Sequence, residues 1–151
     1  MSDATGSALE IQNNSVPSLN ETIASLGGKA GILTTLPNGT QAERLAVAAA
    51  VSNSDPIKKN LGKTIQVVNV VVQSVEMENE QTGEIVSVPR VVLVDDKGNT
   101  FHAISGPLFR DVRTMLGLVG MPDLSAGDKP IPVKILEDGT GSRTYFKLQY
   151  V

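Results

Sequence analysis

The sequence predicts a mainly β protein whose residues 57–151 fold as a five-stranded barrel with one helix between the third and fourth strands. Three observations carry this. A long β-branched stretch begins at Thr64, the strand and helix signals follow it in the order strand, strand, strand, helix, strand, strand, and a chain of 151 residues with no cysteine must be held by an apolar core.

The first strand is read in Thr64 to Val75, where Ile65, Val67, Val68, Val70, Val71 and Val72 place apolar residues in both registers, so both faces are expected to be partly covered. Glu84 to Val94 reads as a second strand, joined to the first by the polar stretch Glu76 to Gly83. Pro89 lacks a ladder donor, which predicts an edge position or a bulge. Asp95-Asp96-Lys97-Gly98-Asn99 is a turn into a third strand, Thr100 to Ile104. Ser105 then caps a helix with Pro107 in its first turn and with Leu108, Phe109, Val112, Met115, Leu116 and Val119 on one face. Gly120 and Pro122 end it. Ile131 to Leu136 and Thr144 to Tyr150 form the closing hairpin around the turn-rich Glu137 to Arg143. This order is the connectivity of the OB barrel, and a long first strand that is apolar in both registers suits a strand bent around both halves of such a sheet.

Residues 1–38, rich in Ser, Asn, Thr and Gly without a sustained apolar period, read as a flexible N-terminal arm able to order on a neighbouring subunit. Residues 39–56 read as a short helix and linker. Thr40-Gln41-Ala42-Glu43 is a capping box ahead of the Ala-rich run Leu45 to Val51, which predicts a helix over 41–52 that stops before Pro56.

Composition narrows the chemistry. With no cysteine and His102 as the single histidine, zinc knuckles, thiol nucleophiles and histidine triads are excluded. Gly139-Thr140-Gly141-Ser142 lacks the lysine of a phosphate loop, and the carboxylates of 76–80 lack the spacing of a calcium loop. No enzyme activity and no cofactor are expected. The apolar run Leu45 to Val51 is too short to span a bilayer and no basic, apolar leader opens the chain, so a cytoplasmic protein without membrane contact is expected. Residues 1–56 carry −3 and residues 57–151 are neutral. Binding of nucleic acid therefore needs a local basic groove rather than net charge.

Leu61-Gly62-Lys63 ahead of Ile65-Gln66-Val67, Thr82-Gly83-Glu84, the run Pro89 to Asp95, Gly98, Ser105, the Gly120-Met121-Pro122 break and the closing hairpin resemble single-stranded DNA-binding proteins encoded by small tailed bacteriophages. The resemblance covers about residues 57–151. It differs after the Gly-x-Pro break, where Asp123-Leu124 stands in place of an aromatic residue. What it implies is a cofactor-free replication protein that coats displaced single strands in the host cytoplasm without sequence preference, in company with phage replication proteins.

Such binding needs aromatic faces for bases and cations along the phosphates. The period of two on the last strand puts Phe146, Leu148 and Tyr150 inward and Arg143, Tyr145, Lys147 and Gln149 outward, a ring between two cations. An ordinary solvated strand face fits the same pattern. Lys134, between Val133 and Ile135, extends the outward stripe. Arg90 and Lys97 belong to the second strand and the following turn, the usual ligand-bearing region of this barrel, although surface solubility accounts for each equally well. Phe101 and His102 lie on opposite faces of the third strand, so at most one reaches the ligand. The candidate nucleic-acid set is thus Arg90, Lys97, Phe101, Lys134, Arg143, Tyr145 and Lys147, and the acidic loop 76–80 is left to a partner or to solvent. The alternative is a protein-interaction or virion-assembly module that binds no nucleic acid.

Overall fold

The computed structural model describes residues 18–151. Along the chain come α1 (Leu19–Ser25), β1 (Ile32–Thr34), α2 (Gln41–Ser52), β2 (Asp55–Pro56), a 3-10 turn (Ile57–Asn60), β3 (Thr64–Glu78), β4 (Ile85–Asp95) and β5 (Thr100–Ile104). They are followed by α3 (Gly106–Leu118), a second 3-10 turn (Leu124–Ala126), β6 (Ile131–Thr140) and β7 (Arg143–Tyr150). The protein is mainly β, with all strands in one curled sheet of order β2-β5-β4-β3-β6-β7 and with β1 paired to β3.

The valines in both registers of β3 are explained by cover on both faces. On one face Ile65, Val67, Val70 and Val72 join Val91 and Leu93 of β4 and Val133 and Ile135 of β6 in the main core, against Leu108, Phe109, Val112 and Met115 of α3. On the other, outer face, Val68, Val71, Val92 and Val94 are also buried but belong to no part of that core. Over β4 and β5 the cover is α2, whose Val47, Ala50 and Val51 are its less exposed apolar residues, and β1 and Thr35 run along β3. A register shift between Val67 and Asn69 lets β3 serve both layers, because the bulged residue Val68 switches the parity of the strand.

The strands expected from the sequence all form, with β5 spanning Thr100–Ile104 and α2 spanning Gln41–Ser52 as read. Pro89 sits in register opposite Ser74 without a bulge. Its carbonyl accepts from Ser105 N on the β5 side, so its missing N–H points where β5 has just ended, and no ladder bond is lost. The closing hairpin is longer than read: β6 runs to Thr140 and the connection shrinks to Gly141-Ser142, with Gly141 at φ +62° as the first position of a type II′ turn requires.

Two expectations are corrected. The sheet has seven strands rather than five, and among the described residues it does not close, because β5 and β7 do not pair. The free edge of β5 is instead taken by β2, parallel at Asp55↔Phe101 and Pro56↔His102. The edge of β7 faces α3, where the Asp111 carboxylate accepts the Leu148 N–H at 3.1 Å. Residues 18–38 are also not a loose arm. Ser18 and Glu21 make a capping box for α1, Ile23 and Leu33 enter the core, and Gly28 packs so tightly under Ile23 and the Ile32 carbonyl that no side chain fits there. The remainder of the expected arm, 1–17, lies outside the described residues. Among the described residues, no helix is long and apolar enough to cross a membrane.

Docking of α1 predicts that Ile23→Ala costs about 2–5 kcal/mol of stability in urea unfolding, as for other buried Ile or Leu truncations. An unchanged midpoint would return residues 18–38 to the status of a separate arm.

Candidate nucleic-acid interface

Because α2 lies across β4 and β5, the outer face of the sheet is left uncovered, among the described residues, over β6 and β7 and over the far ends of β3 and β4. On β6 and β7 the register places Lys134 opposite Gln149, Leu136 opposite Lys147, Asp138 opposite Tyr145 and Thr140 opposite Arg143. Thr64 of β3 flanks Lys134 on its other side, and the exposed Lys63 precedes it. Val133, Ile135 and Leu148 occupy the opposite parity and are buried, which is what turns the cationic residues outward. The structure therefore brings four of the expected residues together: Lys134, Arg143, Tyr145 and Lys147.

Tyr145 is 42% exposed. Its hydroxyl donates to Asp138 Oδ2 at 3.4 Å, which orients the ring and also sets one carboxylate beside it. The ring borders a cleft of about 360 Å³ in the open seam between β5 and β7, lined also by Ile104, Pro107, Glu137 and Phe146. The failure of the sheet to close is what creates this cleft. Glu137 pairs with Lys58 at 3.4 Å, the one ion pair among the described residues, and so is partly neutralised.

The other three expected residues do not join this surface. Arg90 is half-buried beneath α2, where Nη1 donates to Gln73 Oε1 and Nη2 donates to the Val51 carbonyl and to Ser54 Oγ, each at 3.2 Å. The Val51 carbonyl belongs to the last turn of α2 and has no acceptor role left within the helix, so Arg90 acts as a C-terminal cap and fastens α2 to β4. Phe101 has the parity of Ala103 and packs against the main core. Lys97 is exposed in the turn at the far end of β5, a strand length from Ile104 and the cleft. Arg90 and Phe101 are withdrawn from the expected set because α2 and the core occupy both faces of β4 and β5, and Lys97 is set apart by its place in the turn at the other end of β5.

His102 shares the anchoring site of Arg90. Ser54 Oγ, which donates to the Val51 carbonyl at 3.0 Å, lies 2.8 Å from His102 Nδ1. Burial first, and the Arg90 charge second, hold this imidazole below its ordinary pKa. Among the described residues, no group of three or more His, Asp or Glu side chains is arranged to hold a metal ion. In comparisons with known proteins, no family model, curated protein or solved structure matches this chain.

Two consequences can be measured. Arg90→Ala leaves the Val51 carbonyl and Ser54 short of a charged donor and is expected to cost about 1.5–3 kcal/mol. The depressed His102 pKa means that, as pH falls through about 6.5, the unfolded chain takes up the proton before the folded one. The stabilisation from the neutral ring is thus complete above that pH and is lost as pH falls toward the folded-state value. Thermal melting should decline more steeply on acidification in the native chain than in His102→Gln, and coincident profiles would remove His102 from the α2 anchor.

Proposed function

We propose that the protein binds single-stranded DNA without sequence preference on the outer face of the β6–β7 hairpin, coating and protecting displaced strands during phage DNA replication. One observation carries this reading: an exposed aromatic ring stands between Arg143 and Lys147 on the outer face of β7, with Lys134 further along the same face, beside an open cleft. Stacking on one ring and cations along a strand are the two elements that sequence-tolerant single-strand binding requires. The succession β3, β4, β5, α3, β6, β7, with β3 pairing both β4 and β6, supports the view that residues 64–150 are an OB barrel left open at the seam where β2 takes the edge of β5. The likeness to phage single-strand binders noted above supports the replication role and a host-cytoplasmic setting, with no catalytic step and no cofactor.

The local balance of charge matters because the protein as a whole carries −3. Phosphates cannot be drawn by the net field and must meet the hairpin at short range, where Asp138 opposes them. A single ring contributes about 1–3 kcal/mol per stacked base, so most of the affinity has to come from counterion release.

Titration with oligo-dT at several salt concentrations tests this. Three phosphate contacts predict a slope of log K against log salt of about −2, and each of Lys134→Ala, Arg143→Ala and Lys147→Ala should lower its magnitude by about 0.7. Tyr145→Ala should cost about 1–3 kcal/mol, whereas Asp138→Asn should strengthen binding and Arg90→Ala should leave the slope unchanged. Absence of any binding at low salt, or indifference to Tyr145→Ala, would refute the assignment and leave the assembly-module reading in its place.

A further inference from the structure

Beyond Ser74, whose N–H donates to the Gly31 carbonyl, and Pro89, whose carbonyl accepts from Ser105 N, the strands β3 and β4 have no other strand neighbour among the described residues, since β1 pairs only Val71–Gln73 and β5 only Arg90–Val94. They continue as a two-stranded arm through Val75↔Val88, Met77↔Val86 and Glu78↔Ile85. Parity sets Val75, Met77, Val86 and Val88 on the outer face of the sheet, where Met77 is 46% and Val86 37% exposed. An isolated two-stranded ribbon is marginal in water, and an apolar stripe on one face of it asks for a partner. The arm is also strongly acidic. Glu76, Glu78, Glu80 and Glu84 lie between Ser74 and Pro89 with no Lys or Arg among them; parity turns Glu76 and Glu78 to the face opposite the stripe, whereas Glu84 precedes Ile85 with the parity of Val86 and Glu80 lies in the turn at the tip.

Next to the base of the arm, on the same face, runs a groove of about 470 Å³ between α2 and β1. Its apolar wall is Ile32, 41% exposed, with Val47, Ala48 and Val51, and its charged members are Lys29 and Arg44. Gln73 lines the groove and the arm begins at the following residue. Arg44 Nη1 donates to the Asn38 and Gly39 carbonyls, which places the guanidinium without neutralising it. The single ion pair among the described residues is Lys58–Glu137, so among those residues neither the arm carboxylates nor the groove cations have an ion-pair partner.

We propose that two copies of this chain associate by laying the apolar, acidic arm of each into the apolar, cation-bearing groove of the other. Arm and groove adjoin on one face, so a single two-fold axis satisfies both contacts at once, the self-complementary arrangement of a cyclic dimer. Nucleic acid does not fit the arm: it offers no aromatic ring and four carboxylates. The Tyr145 surface stays outside the contact, because β6 pairs with the opposite end of β3, at Thr64–Val67. The inference is therefore independent of the function proposed above.

Sedimentation equilibrium of the full chain tests it. The native protein is expected to be a dimer, Met77→Glu a folded monomer with unchanged circular dichroism, and Lys29→Glu with Arg44→Glu a chain whose dimerisation is weakened about tenfold or more. Adding Glu80→Lys and Glu84→Lys to that groove variant should restore the dimer, which a mere folding defect would not do. A native monomer, a dimer indifferent to Met77→Glu, or failure of the charge exchange to restore association would each overturn the proposal. So would a loss of oligo-dT binding by Met77→Glu in a chain that is monomeric throughout, which would give the arm to the nucleic acid.

Discussion

The centre of β3 has to be dry on both sides, and most of the architecture follows from that. Val70, Val71 and Val72 are consecutive and fully buried, so neighbouring side chains on opposite faces both need cover. The main core supplies one cover through α3, β6 and β7. The other comes from the N-terminal part of the chain, with α2 over β4 and β5 and with β1 and Thr35 along β3. Thr35 Oγ1 accepts the Val70 N–H at 2.9 Å just beyond the β3 bulge, and so joins the N-terminal segment to the central strand.

That arrangement divides the basic residues by duty. A guanidinium under a helix, bonded to a helix-terminal carbonyl, a hydroxyl and an amide, is a structural part, and Arg90 is of this kind. Cations on the β6–β7 hairpin have no helix above them and face water. The same residue type thus serves as an anchor on one half of the outer face and as a candidate ligand contact on the other, and what separates the two halves is the position of α2.

The open seam has an equally local origin. β2 is only two residues long, but it occupies the edge of β5 that a closed barrel would offer to β7, and Asp111 meets the Leu148 N–H that closure would otherwise satisfy. The unpaired β7 edge is short and carries Arg143 and Lys147, which discourages indiscriminate strand addition. A cleft beside Tyr145 remains. The exposed arm is a different case, since its outer face carries an apolar stripe that none of the described residues covers.

The local signals were legible in the residues themselves. The capping box at Thr40–Glu43 predicted α2, the β-branched run from Thr64 predicted the long central strand, and the alternation in Arg143 to Gln149 predicted which side chains turn outward, whereas Tyr150, expected inward, is 49% exposed at the end of the strand. Ser18 and Glu21 repeat the pattern of Thr40 and Glu43, but the seven-residue helix they begin is too short and too polar in its surroundings to declare itself by periodicity. Capping, propensity and alternation depend on neighbours within a few residues, and the sequence by itself determined them. Only the tertiary structure decided which face of the sheet α2 would cover, that Arg90 and Phe101 would be withdrawn from the surface, and that the barrel would stay open. Those outcomes depend on contacts between segments far apart in the chain, where many partners compete for the same strand edge and no short-range pattern says which one takes it.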